Sequence, residues 1–89
     1  MKIKLELFGA SRDFSNKDYL NLELQYKASI NDLRNEIIKY LYKNFQGNEN
    51  FIKIVKSSAF CSENNKIISD NYKITKDQKI GIIPPIGGG

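Results

Sequence analysis

The sequence predicts an α+β fold in which one main amphipathic helix packs across a mixed sheet. Three observations carry this expectation. Two stretches near the N-terminus alternate with period two, a longer central stretch repeats apolar residues at helical spacing, and a nearly continuous apolar stretch closes the body.

Lys2 to Phe8 is the first alternating stretch, with Ile3, Leu5 and Leu7 on one face and Lys2, Lys4 and Glu6 on the other. This is the pattern of a strand with one face on a core and one toward water. Phe8 follows Leu7 and breaks the alternation, so both an outward and a core position are open to it. Gly9-Ala10-Ser11 ends the strand, and Arg12 to Asp18 reads as a polar connection of hairpin-loop length. Tyr19 to Tyr26 alternates again, placing Leu20, Leu22, Leu24 and Tyr26 together, which predicts an antiparallel hairpin.

The period then changes. Ser29-Ile30-Asn31-Asp32 has the form of a capping box. Ile30, Leu33, Ile37, Leu41 and Phe45 follow on one helical stripe, widened by Ile38 and Tyr40. Asp32 and Glu36 lie early and Lys39 and Lys43 late, as the helix dipole favours, and Gly47 is a plausible stop. Phe51 to Val55 fits a short helix or an extended piece under the core, with the helical or irregular reading preferred. Ser57 to Ser62 reads as a strand, Glu63 to Asn65 as a turn and Lys66 to Ser69 as the return. Asn71 to Gln78 reads as a loop anchored by Ile74. Lys79 to Ile83 suits a strand buried on both sides, or one packed against a partner. The first and last strands are expected to pair in parallel, a crossover the intervening helix permits.

Composition narrows the function classes. The 89 residues, 40% hydrophobic and 11% aromatic, suit one globular domain, expected over residues 1–83, with 84–89 as an extended, flexible C-terminal tail. The apolar runs are too short to span a membrane, and the N-terminal alternation is unlike a signal peptide. The single cysteine, Cys61, excludes an internal disulfide and suits a reducing cytoplasm. It reads as a small buried or half-buried apolar residue. The absence of histidine rules out Ser-His-Asp and Cys-His arrangements and removes the commonest metal ligand, so no metal site is expected. The net charge is +4, but the lysines are scattered from Lys2 to Lys79, which reads as a solvated surface rather than a nucleic-acid footprint.

The final stretch, Ile83-Pro84-Pro85-Ile86-Gly87-Gly88-Gly89, has a different character. Glycines order at the greatest entropic cost, and the proline pair holds the chain extended ahead of them. Taken alone, such an end also fits a frayed terminus. Placed after an apolar strand, it is expected to be a thin probe bearing the Gly89 carboxylate.

At this point the residues resemble a family, the small sulfur-carrier subunits of molybdopterin synthase, which have a ubiquitin-like β-grasp fold. Three stretches carry the resemblance: Leu7-Phe8-Gly9-Ala10-Ser11-Arg12-Asp13, Ser29-Ile30-Asn31-Asp32-Leu33-Arg34, and Ile67 through Gly89 with its proline pair and terminal Gly-Gly. Lys76-Asp77-Gln78 and the longer Ser62–Asn65 turn depart from the family pattern in loops away from the tail.

The resemblance implies a carrier cycle. Gly89 would be adenylated, with ATP, by a separate ubiquitin-activating-type adenylyltransferase, and then converted to a thiocarboxylate with sulfur from a donor protein. The chain itself would bind no cofactor and would not be catalytic alone. Pro84, Pro85, Ile86, Gly87 and Gly88 would enter the large catalytic subunit, which would pass the sulfur to a cyclic pyranopterin in a two-plus-two heterotetramer. By matching positions, Phe8, Arg12, Ile67 and Ile83 would contact that subunit. Phe8, Ile67 and Ile83 also suit a core, and Arg12 also suits an ordinary surface charge. The residues leave two other functions open: a sulfur carrier for thiamine, cysteine or tRNA thiolation, and a ubiquitin-like tag or interaction module.

Overall fold

The computed structural model describes residues 1–86. Its elements are β1 (Lys2–Leu7), a 3-10 helix (Gly9–Phe14), β2 (Tyr19–Glu23), α1 (Ile30–Phe45), α2 (Glu49–Ser57), β3 (Ala59–Cys61), β4 (Ile67–Ile68) and β5 (Gln78–Ile83). The strands form one mixed sheet in the order β2-β1-β5-β3-β4. β1 pairs antiparallel with β2 and parallel with β5, as the sequence predicts, and β3 pairs antiparallel with both β5 and β4.

The alternation in β1 and β5 sets which side chains meet. Leu5 is opposite Ile80 and Leu7 opposite Ile82, and all four are fully or almost fully buried. They pack with Ile30, Leu33, Ile37 and Leu41, the stripe of α1 read from the helical spacing. Burial of such side chains contributes about 1.5–3 kcal/mol each. Because α1 covers only this face, the opposite face of the sheet is left without a helix.

Local chemistry fixes the helix ends. The Ser29 hydroxyl accepts from the Asp32 amide at 3.1 Å, and the Asp32 carboxylate accepts from the Ser29 amide at 2.9 Å, completing the capping box. At the other end Gln46 is left-handed, and the amide of Gly47 donates to the Leu41 carbonyl at 3.2 Å. Ile74 anchors its loop as expected: it is fully buried, and its amide and carbonyl bond Ala28 and Lys27 at 2.8 Å each.

Three readings are corrected or resolved. The stretch after β1 is not simply a polar connection. It folds as a 3-10 helix that buries Phe14 completely, 5.1 Å from the Phe51 ring and under a 2.6 Å hydrogen bond from the Tyr40 hydroxyl to the Phe14 carbonyl. Tyr26 does not share the core face of β2. The strand ends at Glu23, Lys27 is left-handed with φ of 67°, and Tyr26 is 66% exposed. Phe51 to Val55 lies within α2, whose start is capped by the Asn48 side chain on the Phe51 amide at 3.1 Å.

Arg34 ties these layers together. From α1 its guanidinium donates to the Val55 carbonyl at 2.6 Å and the Ser58 carbonyl at 2.8 Å, both at the C-terminal end of α2. It pairs with Asp70 at 2.6 Å and stacks over the Phe60 ring, 4.9 Å from its centroid.

Candidate functional site

β5 is an interior strand, and its C-terminal end delivers the last residues of the chain from the middle of the sheet. Its side chains alternate: Ile80 and Ile82 enter the core, whereas Lys79, Gly81 and Ile83 belong to the helix-free face. Register places Glu6 and Cys61 on either side of Gly81, Ala59 beside Ile83, and Ile67 beside Cys61.

Gly81 is the centre of this face. A Cβ there would lie 2.8 Å from the Cys61 Sγ and 2.9 Å from Cε2 of Phe8, so both side chains use the space that glycine leaves. Phe8 therefore lies on the outside of the sheet, 40% exposed, which resolves the two positions its sequence allowed. Ile83 is 37% and Ile67 68% exposed. Three of the four predicted partner residues, Phe8, Ile67 and Ile83, thus belong to one apolar area at the root of the C-terminal segment. Arg12 is exposed on the 3-10 helix that runs on from Phe8. Cys61 is buried in the sheet, as read from the sequence.

Polar groups from β1, β2, β5 and the β3–β4 turn border the area. Lys79 Nζ pairs with Glu6 at 2.8 Å, and its amide donates to the Glu63 carboxylate at 2.9 Å. The hydrogen bond to Glu6, with its charge, raises the lysine above its ordinary range. Lys4 and Lys17 stand 4.6 and 5.5 Å from the Tyr19 ring centroid. A shallow cleft of about 190 Å³ lies between Glu6, Phe8, Cys61, Glu63, Lys79 and Gly81. A larger open groove of about 840 Å³, lined by the β2–α1 connection and the first turns of α1, lies at the opposite end of the sheet from Ile83. It brings together no nucleophile with a base. Among the described residues no group of His, Cys, Asp or Glu could hold a metal ion, and no helix is long and apolar enough to cross a membrane.

The chain leaves β5 in two steps. Pro84 is buried, while Pro85 and Ile86 are exposed, Ile86 completely. Gly87, Gly88 and Gly89 lie outside the described residues. The face therefore combines an exposed apolar area with the point where the chain leaves β5.

Sequence reasoning read Gly9-Ala10-Ser11 as the end of the first strand but missed the role of Gly81 and the burial of Ser11. The available signal for Gly81 was a glycine inside a strand, which marks close approach of another group. Ser11 gave no signal, because its burial depends on the 3-10 turn that forms around it.

No family model and no curated protein matches the chain by sequence. Solved structures do match in shape. A Pyrococcus furiosus protein assigned provisionally as molybdopterin converting factor, subunit 1, has a TM-score of 0.68 at 20% identity, over 96% of this chain and 98% of its own. SAMP1 from Haloferax volcanii has a TM-score of 0.69 at 12% identity over 100% of both chains. Another structure, of H. volcanii small archaeal modifier protein 1, has a TM-score of 0.67 at 10% identity, over 96% of this chain and 98% of its own. Together with the mixed five-stranded sheet and the helix across it, these likenesses identify the fold as the ubiquitin-like β-grasp that the sequence motifs led us to expect.

Proposed function

We propose that this chain is a sulfur carrier, the small subunit of a molybdopterin synthase, and that its reactive group is the carboxylate of Gly89. The observation that carries the reading is the position of the exit. The C-terminal segment leaves an interior strand beside an exposed apolar area formed by Phe8, Ile67 and Ile83. A partner bound to that area would receive the segment directly.

In this reading a separate activating enzyme joins the Gly89 carboxylate to ATP, forming the acyl-adenylate and releasing pyrophosphate. A carboxylate is a poor electrophile, and the adenylate gives it a leaving group. Sulfur delivered by a donor protein at the sulfide level attacks the acyl carbon and breaks its bond to AMP, which leaves, giving a thiocarboxylate. The large catalytic subunit, in a two-plus-two assembly, takes up the tail, and the sulfur passes to cyclic pyranopterin monophosphate. Tethering keeps the nucleophile at high effective concentration at its target. Glycine at the tip lets the backbone pass a narrow channel. A reducing, cytoplasmic setting suits a thiocarboxylate and the unpaired Cys61.

The likeness to small archaeal modifier protein 1 supports a second reading, in which the same carboxylate is joined to lysines of other proteins. One experiment separates the two. The chain is incubated with an activating enzyme, ATP and a sulfur source, and its intact mass is measured. Replacement of one Gly89 oxygen by sulfur is the expected result. No adenylate and no thiocarboxylate, under conditions that activate a control carrier, would sink the proposal. Covalent adducts to other proteins without a thiocarboxylate would favour the modifier.

A further inference from the structure

The residue at which the C-terminal segment is fastened is Pro84. Its ring is buried, whereas the next two residues are exposed. Beside it is the turn at Gly9, where φ of +55° carries the chain out of β1 and into the 3-10 helix. A Cβ on residue 9 would lie 3.9 Å from both Cγ and Cδ of Pro84, so the ring stands next to this turn with room for about one methyl group between them. The turn is itself held. Ser11, fully buried, directs its amide at 3.2 Å and its hydroxyl at 2.7 Å to the Phe8 carbonyl. Proline suits the seat for two reasons: its φ is fixed, and it has no N–H to lose a partner on burial.

We propose that the burial of Pro84 beside the Gly9 turn is a latch that sets the origin and direction of the tail, making Pro84 a positioning residue for delivery of the C-terminal carboxylate. This rests on the sulfur-carrier reading. A tail that must reach a given depth depends on a root that does not wander. Releasing Pro84 moves the effective origin back toward Ile83 and spreads the tip over more orientations, and reactions of this kind are sensitive to such misplacement. The consequence falls on turnover rather than on docking, because Phe8, Ile67 and Ile83 remain in place.

The test uses the full chain with Pro84→Ala and Pro84→Gly, and reads two quantities. The first is the ¹⁵N order parameter of the Ile86 amide. It is expected to fall from wild type to Pro84→Ala to Pro84→Gly, while the amides of Ile80 and Ile82 are unchanged. The second is the rate of thiocarboxylate formation with the chain as varied substrate. kcat is expected to fall about five- to tenfold for Pro84→Gly, the size set by freeing one backbone residue, with little change in KM. An unchanged Ile86 order parameter overturns the latch. A lowered order parameter with unchanged kcat, or an effect confined to KM, overturns the positioning role. If the wild-type chain itself gains no adenylate or thiocarboxylate, the sulfur-carrier reading fails and the positioning role with it, while the Ile86 measurement still decides whether the latch exists.

Discussion

Phe8 and Cys61 meet across Gly81: the ring edge and the sulfur both come within 3 Å of where a Cβ would stand on that residue. The glycine is therefore the floor on which the outer aromatic ring rests. Gly81→Ala is expected to displace Phe8 outward and press on the buried Cys61, destabilising the fold by about 1–3 kcal/mol. Thermal unfolding checks this, with a fall in Tm of about 4–8 °C for each kcal/mol in a domain of this size. Cys61→Ala in the Gly81→Ala background should recover part of the loss. If the double variant were no more stable than Gly81→Ala, the clash with sulfur would not be the cause.

The exposed apolar area gives a different signature. Ile67→Asp changes a side chain that is largely in solvent, so stability should move by less than about 1 kcal/mol, whereas Phe8 is only 40% exposed and Phe8→Ala should cost about 1–2 kcal/mol. Binding to a large synthase subunit should weaken by about 1–3 kcal/mol for each, the range of an anchor residue at an interface. Titration calorimetry alongside thermal unfolding separates the two effects. Unchanged affinity in both variants would remove this face from the proposed interface.

Arg34 is expected to be the most costly polar side chain to lose. Arg34→Ala leaves the carbonyls of Val55 and Ser58 without their charged donor and uncovers Phe60, a loss of about 2–4 kcal/mol in denaturant unfolding. Arg34→Lys should restore little, because a point charge cannot reproduce a planar fork reaching two carbonyls and a carboxylate. Asp70→Asn should cost less than about 1 kcal/mol, since Asp70 is 62% exposed and solvent screens the pair.

The capping box makes stability sensitive to acid. The Ser29 amide, and then its hydroxyl, hold the Asp32 carboxyl below its ordinary range. The folded carboxyl thus titrates below the unfolded one, and the unfolded chain takes the proton first. The contribution is complete above the unfolded value, about pH 4, and is lost as the pH falls through the folded value. Asp32→Asn should be less stable than wild type at neutral pH, with the difference shrinking on acidification. A difference constant across that range would exclude the carboxylate as its source.

What was legible in the sequence was what local pattern determines. The Ser29–Asp32 cap and the Ile30–Leu41 stripe depend on residues a few positions apart, and both appear as read. The strand pairing of β1 with β5 followed from two apolar stretches and the helix between them. Phe14 was hidden because one aromatic residue in a polar run has no period to reveal it, and its burial comes from Tyr40 and Phe51, far away in sequence. Tyr26 continued an alternation that the backbone abandons at Glu23. Phe8 was undecidable until Gly81, from another strand, was placed beneath it. The exit of the tail was legible as composition, but its fastening at Pro84 was not, since that depends on the Gly9 turn.

The interior position of β5 has a mechanical consequence. If a partner takes up the tail as proposed, withdrawing it would transmit a pull to the strand that carries it. β5 is gripped along its length by β1, over register pairs from Ile3–Gln78 to Leu7–Ile82, and on its other side by β3 from Ala59 to Cys61. Tension along β5 loads both hydrogen-bonded borders together in shear, instead of peeling a single border one bond at a time. Under such a load the sheet order would let the body act as a rigid grip.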